Sequence, residues 1–189
     1  MKSFSWFWFT AAIAVLLVFA AILLWMGRVP ICKCGYVKLW QGVVVSSENS
    51  QHLSDWYSFS HIIHGFIFYW FFWRIGRKRG WSLGLRFLLA LFVEVGWEIF
   101  ENTDFTINRY RETTISLDYY GDSVINSVFD ALFMVLGFWM AWRMPMWTIV
   151  LIAIGLELFV GYYIRDNLAL NIIMLIYPFK AILRWQGGG

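Results

Sequence analysis

Charged side chains are scarce in this sequence: Asp, Glu, Lys and Arg make up 14% of its 189 residues, whereas apolar residues make up 60% and aromatic residues 21%. This balance excludes an ordinary soluble domain and is typical of a multi-pass membrane protein. No internal repeat, low-complexity tract or flexible linker interrupts the chain, which indicates a single membrane domain over residues 1–186. Residues 187–189 are three glycines and are interpreted as a frayed tail or a cloning remnant.

Cysteine is nearly absent, because the chain contains only Cys32 and Cys34. Two cysteines cannot complete a four-cysteine zinc site, and the C-x-C spacing is tight for a mutual disulfide bond. Two interpretations therefore stay open, a redox or metal-binding pair and two ordinary loop cysteines.

Long apolar segments are abundant by contrast. A membrane-spanning helix needs about 18 to 20 mostly apolar residues. By this criterion we predict an all-α, polytopic membrane helix bundle with about six transmembrane helices. The predicted spans cover residues 6–26, 57–73, 82–102, 122–142, 146–164 and 168–185. The last span is the weakest and has an interfacial location as its alternative, because Asn171, Pro178 and Lys180 interrupt it.

Lys and Arg near the span ends predict the orientation, because short basic loops stay in the cytoplasm. The loop after the second span contains four basic residues and no acid, namely Arg74, Arg77, Lys78 and Arg79. Lys2, Arg143 and Lys180 fall on the same side of the predicted membrane. Both termini are therefore expected in the cytoplasm. The net charge of +3 belongs to this asymmetry, so membrane lipids and no nucleic acid are the expected neighbours.

The apolar segments nevertheless carry ionisable side chains, which are costly at membrane depth unless they are paired, metal-bound or hydrated. Residues three or four apart share one face of a helix. Three such stripes occur, formed by His61 and His64, by Glu94, Glu98 and Glu101, and by Asp122, Asn126 and Asp130. Because a stripe of acids cannot face lipid, we predict a polar site that opens outward between spans two to five.

A rise of about 1.5 Å per residue sorts these side chains into layers below the outer helix ends. The deep layer, at roughly 10–13 Å, comprises His64, Glu94, Asp130 and Glu157. The layer one turn higher comprises His61, Glu98 and Asn126. The rim comprises Glu101, Asp118 and Asp122, with His52 and Asp55 from the preceding loop. Polar groups at matched depths favour one shared site.

Histidines and carboxylates together are the ligands of divalent metals such as zinc or manganese. We predict that the ligands of such a metal are His61, His64, Glu98 and Asp130. Glu94 is then the predicted general base of a metal-assisted hydrolysis or transfer on a lipid-like or envelope-derived substrate. No H-E-x-x-H signature is present, so the choice of ligands depends on spacing alone.

Three arginines near the outer span ends, Arg109, Arg111 and Arg165, have two alternative roles. They would clamp an anionic substrate, or they would neutralise the rim acids in a purely structural network. Two other functions stay open beside the enzyme. One is a non-catalytic accessory subunit or binder whose acids hold the helices together. The other is a small proton-coupled transporter that uses Glu94 or Glu157 as a relay and acts as a homo-oligomer.

Several longer strings carry a family resemblance, namely ICKCGYVKLWQGVV, SSENSQHLSDWYSFSHIIHGF, GWEIFENT, INRYRE, LDYYGDSVINS and ELFVGYYIRDNLALN. Over residues 32–185 the chain resembles the bacterial inner-membrane family called domain of unknown function 2585. The resemblance implies a multi-pass protein of the cytoplasmic membrane and no particular reaction. With the orientation predicted from the basic loops, the site would face the periplasm. The combination of Glu94 or Glu98 with Asp122 and Asn126 also resembles VanZ-like membrane proteins at these few positions.

Overall fold

Helices make up almost all of the regular structure in the computed structural model, which describes residues 5–114 and 117–188. Lys2, used above to predict the orientation, and Gly189 of the glycine tail lie outside these ranges. The helices of the described residues are α1 (Trp6–Trp25), α2 (Ser58–Gly76), α3 (Leu83–Glu101), α4 (Asp104–Thr113), α5 (Val124–Arg143), α6 (Met146–Ile164), α7 (Leu168–Ile176) and α8 (Lys180–Gln186). The all-α prediction is therefore confirmed.

Three helices of the described chain, α1, α5 and α6, have both the length and the hydropathy that a membrane span requires. Helices α2 and α3 occupy two further predicted spans, and each contains 19 residues. The segment 168–185, predicted as one span, is instead two helices of nine and seven residues. Pro178 explains the break, since proline lacks an N–H donor and disfavours helical backbone in the residue before it. Nine residues rise only about 14 Å, too little to cross a bilayer core of about 30 Å.

Polar side chains fix where four of the helices begin. Each of these residues accepts a hydrogen bond from the backbone N–H three positions later, which satisfies a donor that the helix itself leaves free. The four caps are Ser82, Thr103, Ser123 and Asn167. The caps at the starts of α4, α5 and α7 place these helices around the site described below.

The crossing of α2 and α5 depends on two glycines. A Cβ atom on Gly65 would collide with the α5 backbone at Met134, and a Cβ atom on Gly137 would collide with the carbonyl of Ile62. Small residues let membrane helices approach this closely. The close packing brings the first half of α2, which carries His61 and His64, against the middle of α5, which follows Asp130.

The apolar core lies between α1, α3 and α5. Its fully buried side chains include Phe19, Leu23, Leu91, Met134 and Phe138. Helix α6 packs against α2 and buries only 11% of its most apolar window, so most of its apolar side chains face outward. Such a helix is suited to contact with lipid.

The loop between α1 and α2 folds over the start of α5. The Gln51 amide donates to the Gly121 carbonyl at 2.7 Å, and the Ser123 hydroxyl donates to the Gln51 carbonyl at 3.0 Å. The amide of Asn126 donates to the carbonyl of His52 at 2.9 Å. These bonds fix the loop over the end of the bundle at which α5 begins.

Cys32 and Cys34 form a disulfide bond, so the expectation that their spacing is too tight for one was wrong. The loop turns between them and places their Cα atoms 5.1 Å apart, a separation that a disulfide spans readily. A disulfide sulfur does not act as a thiolate ligand. The paired state therefore leaves no thiolate for a metal at this position.

Candidate metal centre

Glu94 of α3 connects the two histidines of α2. Its Oε1 atom accepts a hydrogen bond from His61 Nδ1 at 2.6 Å, and its Oε2 atom accepts one from His64 Nδ1 at 3.0 Å. Glu94 is fully buried, so these two bonds are shielded from solvent. With both Nδ1 atoms engaged, the Nε2 atom of each ring is the one left for a further partner. Carboxylates orient the histidine ligands of metal sites in this way.

Glu98 lies one turn beyond Glu94 on α3 and is 1% exposed. Within the described part of the chain, neither of its carboxylate oxygens has a hydrogen-bond partner. Its Oε1 atom lies 3.4 Å from His61 Nδ1, which is already bonded to Glu94. A buried carboxylate without a partner is destabilising, and a bound cation is one way to remove that cost.

Asp130 of α5 faces the same group from the opposite side. Its Oδ1 atom accepts a hydrogen bond from the Ser58 hydroxyl at 3.0 Å, and its Oδ2 atom lies 3.9 Å from His61 Nε2. One ligand atom each of His61, Glu98 and Asp130 lies within 4.8 Å of the other two. His61, His64 and Glu94 satisfy the same criterion. The structure thus places the four predicted metal ligands and the predicted general base in two overlapping groups that share His61.

A cavity of about 610 Å³ lies beside this cluster. Its polar side includes His61, His64, Glu101, Asp122 and Asp130. Its apolar walls include Ile67, Phe68, Val93, Trp97, Phe100 and Leu175. Pockets of this size that combine apolar walls with a few convergent polar groups are typical of small-molecule sites. This distribution of polar and apolar lining residues suits a molecule with one polar end and one apolar part.

Helices α4 and α7 cover the outer side of the cavity and are bonded to each other. The hydroxyl of Tyr110 donates to the side-chain oxygen of Asn171 at 3.0 Å. The Nε atom of Arg109 donates to the carbonyl of Leu175 at 3.0 Å. Arg109 is the one Arg or Lys that lines the cavity among the residues that the structure describes. It places a positive charge on the wall of the cavity.

Asp122 occupies the rim and is fixed by two neutral side chains. Its Oδ2 atom accepts from the Asn102 amide at 2.9 Å, and its Oδ1 atom accepts from the Tyr119 hydroxyl at 3.0 Å. Burial raises the pKa of Tyr119 well above its ordinary value, so the hydroxyl keeps its proton as the donor. Sequence reasoning missed Asn102, Tyr119 and Ser58 because it followed ionisable residues. The sequence could have indicated Asn102, because Asn102 follows Glu98 by four positions and therefore shares a helix face with it.

His52 and Asp55 are buried in the covering loop and are absent from the cavity lining described above. His52 Nδ1 accepts the backbone N–H of Lys38 at 3.2 Å, and its Nε2 donates to Glu48 at 3.1 Å. The Lys38 ammonium, 2.6 Å from Glu48, and then His52 lower the pKa of Glu48 to about 2. Asp55 accepts two backbone N–H groups at 3.2 and 2.8 Å. Both rim candidates therefore stabilise the loop.

Four other predicted rim or binding residues lie apart from the cluster. Glu157 accepts two backbone N–H groups at the start of α7, at 3.1 and 3.0 Å, and so caps that helix. Arg165 donates to a backbone carbonyl near the C-terminus at 3.1 Å. Arg111 and Asp118 are exposed. Depth along a helix, which grouped Glu157 with the others, does not determine the direction in which a side chain points.

The fold and the site together define an all-helical bacterial protein with three helices able to cross a membrane and a buried cluster of histidines and carboxylates. The chain belongs to the family described as protein of unknown function DUF2585, which matches residues 23–188. The resemblance noted in its sequence is thereby confirmed.

Several relatives carry the name UPF0314 protein, and three of them illustrate the similarity. The chain is 57% identical to the one from Rhizobium etli, over 96% of this chain and 92% of the relative. It is 54% identical to the one from Sphingopyxis alaskensis, over 96% of this chain and 95% of the relative. It is 53% identical to the one from Paracoccus denitrificans, over 93% and 90% respectively. No solved structure matches the chain.

Proposed function

We propose that this protein is a metal-dependent enzyme of the bacterial inner membrane, which hydrolyses or transfers a group on a lipid-like substrate from the cell envelope. Its polar site would face the periplasm, as the basic loops favour. The proposed ligands of a zinc or manganese ion are His61, Glu98 and Asp130, which form one group, and His64, which lies in the neighbouring group that shares His61. The observation that carries the proposal is the buried Glu98 carboxylate, whose two oxygens have no hydrogen-bond partner.

The state of Glu98 distinguishes a metal site from a structural network. In a network that only holds helices together, each buried acid is expected to be paired, because an unpaired one weakens the fold. Glu94 and Asp122 do have a partner on each oxygen. Glu98 lies one turn after Glu94 on α3, and neither of its oxygens has a hydrogen-bond partner within the described residues. A cation bound at Glu98 accounts for this difference.

The distances around His61 fit a shared ion. Two ligands of one zinc ion, each bonded at about 2.0–2.2 Å, lie roughly 3.3–3.6 Å apart in a tetrahedral site. His61 Nε2 and Asp130 Oδ2 are 3.9 Å apart, so a small inward movement brings both into ligand range. Because the Nδ1 atoms of His61 and His64 are bonded to Glu94, their Nε2 atoms remain to act as ligands.

The role of Glu94 in this proposal differs from the one expected from the sequence. A general base needs a free carboxylate oxygen near the attacking water. Both oxygens of Glu94 accept hydrogen bonds from imidazoles, so we assign it the positioning of the two rings. A bound zinc ion lowers the pKa of its water to about 7, which supplies a hydroxide without a separate strong base.

The cavity supports an amphiphilic substrate. Its walls are formed by aromatic and aliphatic side chains, and the histidines and acids converge at its polar side. Arg109, held by the backbone carbonyl of Leu175, lines the same cavity and offers a partner for an anionic headgroup. A lipid with a phosphate or carboxylate near its cleavable bond matches these three features.

Elemental analysis of the purified, full-length protein tests the metal. The wild type, incubated with zinc or manganese and then desalted, should retain metal in stoichiometric amount, and Glu98→Gln should lose it. Glu157→Gln makes the same chemical change at the carboxylate that caps α7 and should retain the metal. A wild type that keeps no metal would overturn the proposal.

Activity is tested with vesicles that contain phospholipids of defined headgroup, with mass spectrometry of the released product. Metal-loaded wild type should release product, and His64→Ala should not, while its helical circular dichroism stays unchanged. Equal product release by metal-loaded wild type and His64→Ala would contradict the enzymatic role of this site.

A further inference from the structure

A second group of acids shares Glu98 with the proposed metal site. One ligand atom from each of Glu98, Glu101 and Asp122 lies within 4.8 Å of the other two. We propose that this group binds a second divalent cation and that Glu98 bridges the two cations, with one carboxylate oxygen on each. The inference rests on the proposed function, because it requires the first metal site at His61 and Asp130.

The bridging role follows from the two unused oxygens of Glu98. A carboxylate that ligates one cation through one oxygen has a second oxygen for another cation. Glu98 is 1% exposed, and each of its oxygens lacks a hydrogen-bond partner within the described chain. It is also the one residue that the two groups, His61–Glu98–Asp130 and Glu98–Glu101–Asp122, have in common. A single cation bound through one oxygen would leave the other oxygen of Glu98 without a partner.

The charge of the second group is not balanced by a basic side chain. Among the described residues, the Lys and Arg ion pairs are Lys38 with Glu48 and Arg28 with Asp104. The rim arginines expected to neutralise these acids do not do so, because Arg109 and Arg165 donate to backbone carbonyls. Three carboxylates this close repel each other when ionised, and a divalent cation relieves that repulsion.

Asp122 is held in a fixed position by hydrogen bonds to neutral groups. The amide of Asn102 donates to its Oδ2 atom, and the side-chain oxygen of Asn102 accepts the backbone N–H of Asp122 at 2.8 Å. This double contact fixes the segment before α5 against the end of α3. Asp122 accepts hydrogen bonds from the side chains of Asn102, Tyr119 and Ser50, and since a carboxylate has about four acceptor positions, one remains for a metal. Carboxylate ligands are commonly supported by such outer hydrogen bonds.

The donor atoms of the second group indicate which cations it would take. All three residues offer carboxylate oxygen, which suits hard cations such as manganese or magnesium. The first group adds imidazole nitrogen, which suits zinc as well as manganese. Glu101 and Asp122 both line the cavity, so the second cation would lie next to a bound headgroup. Paired cations about 3.5–4 Å apart stabilise the attacking and leaving oxygens of a displacement.

Manganese binding to the full-length protein in detergent tests the bridge. Equilibrium dialysis should give two manganese ions per chain for the wild type, and the electron paramagnetic resonance spectrum should show a magnetically coupled pair. Glu101→Gln should bind one ion and show the uncoupled six-line spectrum, and Asp122→Asn should do the same. Glu101→Gln is the decisive variant, because Asp122 also makes hydrogen bonds that support the fold. Glu157→Gln, the control, should bind two ions.

The outcomes separate this inference from the proposed function. A wild type that binds one ion, with Glu101→Gln binding one ion equally well, would overturn the second site and leave the first in place. A wild type that binds neither manganese nor zinc would overturn both. Two ions without magnetic coupling would contradict the bridge.

Discussion

The Nδ1 atom of His61 lies 2.6 Å from the Oε1 atom of Glu94, and this contact joins α2 to α3 in the buried part of the site. The second oxygen of Glu94 binds His64 in the same way at 3.0 Å. One carboxylate therefore sets the orientation of two imidazole rings before any ligand binds. In the proposed site Glu94 is not itself a metal ligand. A change at Glu94 therefore tests how much the orientation of the two histidines contributes to metal affinity.

Replacement of Glu94 by glutamine should weaken metal binding without removing a ligand. Glutamine replaces one carboxylate oxygen by an NH2 group, which cannot accept the hydrogen bond that this oxygen receives from one of the histidines. We expect zinc affinity to fall by about 10- to 100-fold, the usual effect of losing a group that orients a metal ligand. Competition with a chromophoric chelator measures the affinity, with Glu157→Gln as the control. An unchanged affinity would show that Glu94 does not orient the rings.

Glu98→Gln should stabilise the metal-free protein while it removes metal binding. The substitution replaces a buried acid that has no hydrogen-bond partner among the described residues by an amide that cannot ionise. We expect a gain of about 1 kcal/mol in unfolding free energy, seen as a higher melting temperature in excess chelator. If Glu98 instead held helices together, the same variant would melt at a lower temperature than the wild type.

Gly137→Ala should destabilise the fold through the contact of α2 with α5. A methyl group at Gly137 meets the backbone carbonyl of Ile62, which cannot move independently of its helix. We expect a loss of about 1–3 kcal/mol, as for other overpacked interiors. Gly155→Ala is the matched control, since no neighbour lies within 4 Å of a Cβ atom there, and its greater helix propensity should leave stability equal or higher. Equal melting temperatures for Gly137→Ala and the wild type would contradict this packing.

Asp166 should make stability depend on pH. Burial raises the pKa of Asp166 from 3.8 to about 6, although the Asn167 N–H and the Tyr57 hydroxyl act in the opposite direction. The folded state therefore keeps a proton that the unfolded chain releases between pH 3.8 and about 6. The stability that this bound proton contributes to the folded state is complete below pH 3.8 and is lost as the pH rises through about 6.

Asp166→Asn checks that expectation, because asparagine does not titrate. Melting temperatures measured from pH 4 to pH 7 should decline less steeply in the variant than in the wild type. Other buried acids contribute equally to both proteins, so the difference between the two curves isolates Asp166. Parallel curves would show that Asp166 has an ordinary pKa.

The positions of the main helices follow from the sequence for a simple physical reason. A long apolar run in a membrane must form a helix, since no other single segment satisfies its own backbone groups there. Helix α6 begins and ends at the predicted residues, because Pro145 precedes it and the chain turns at Arg165. The stripes at helical spacing predicted one shared site for His61, Glu94 and Asp130, although depth along the helices placed His61 one turn above the other two.

Other features depend on contacts that periodicity does not encode. The sequence assigned Glu157 to the deep layer, but rotation of α6 and the packing of α7 turn this carboxylate toward backbone N–H groups. Helix α4 lies in a loop with no apolar run, and the bond from Tyr110 to Asn171 that closes the cavity joins distant segments. Asn102 is neutral, so no search for ionisable groups selects it.

Anomalous X-ray scattering from crystals grown with zinc or manganese tests the metal site most directly. We predict a peak at about 2.0–2.2 Å from an oxygen of Glu98 and from an imidazole nitrogen of His61 or His64. Density that shows the Glu98 carboxylate bonded to water or to a protein donor, with no anomalous peak beside it, would contradict the metal site.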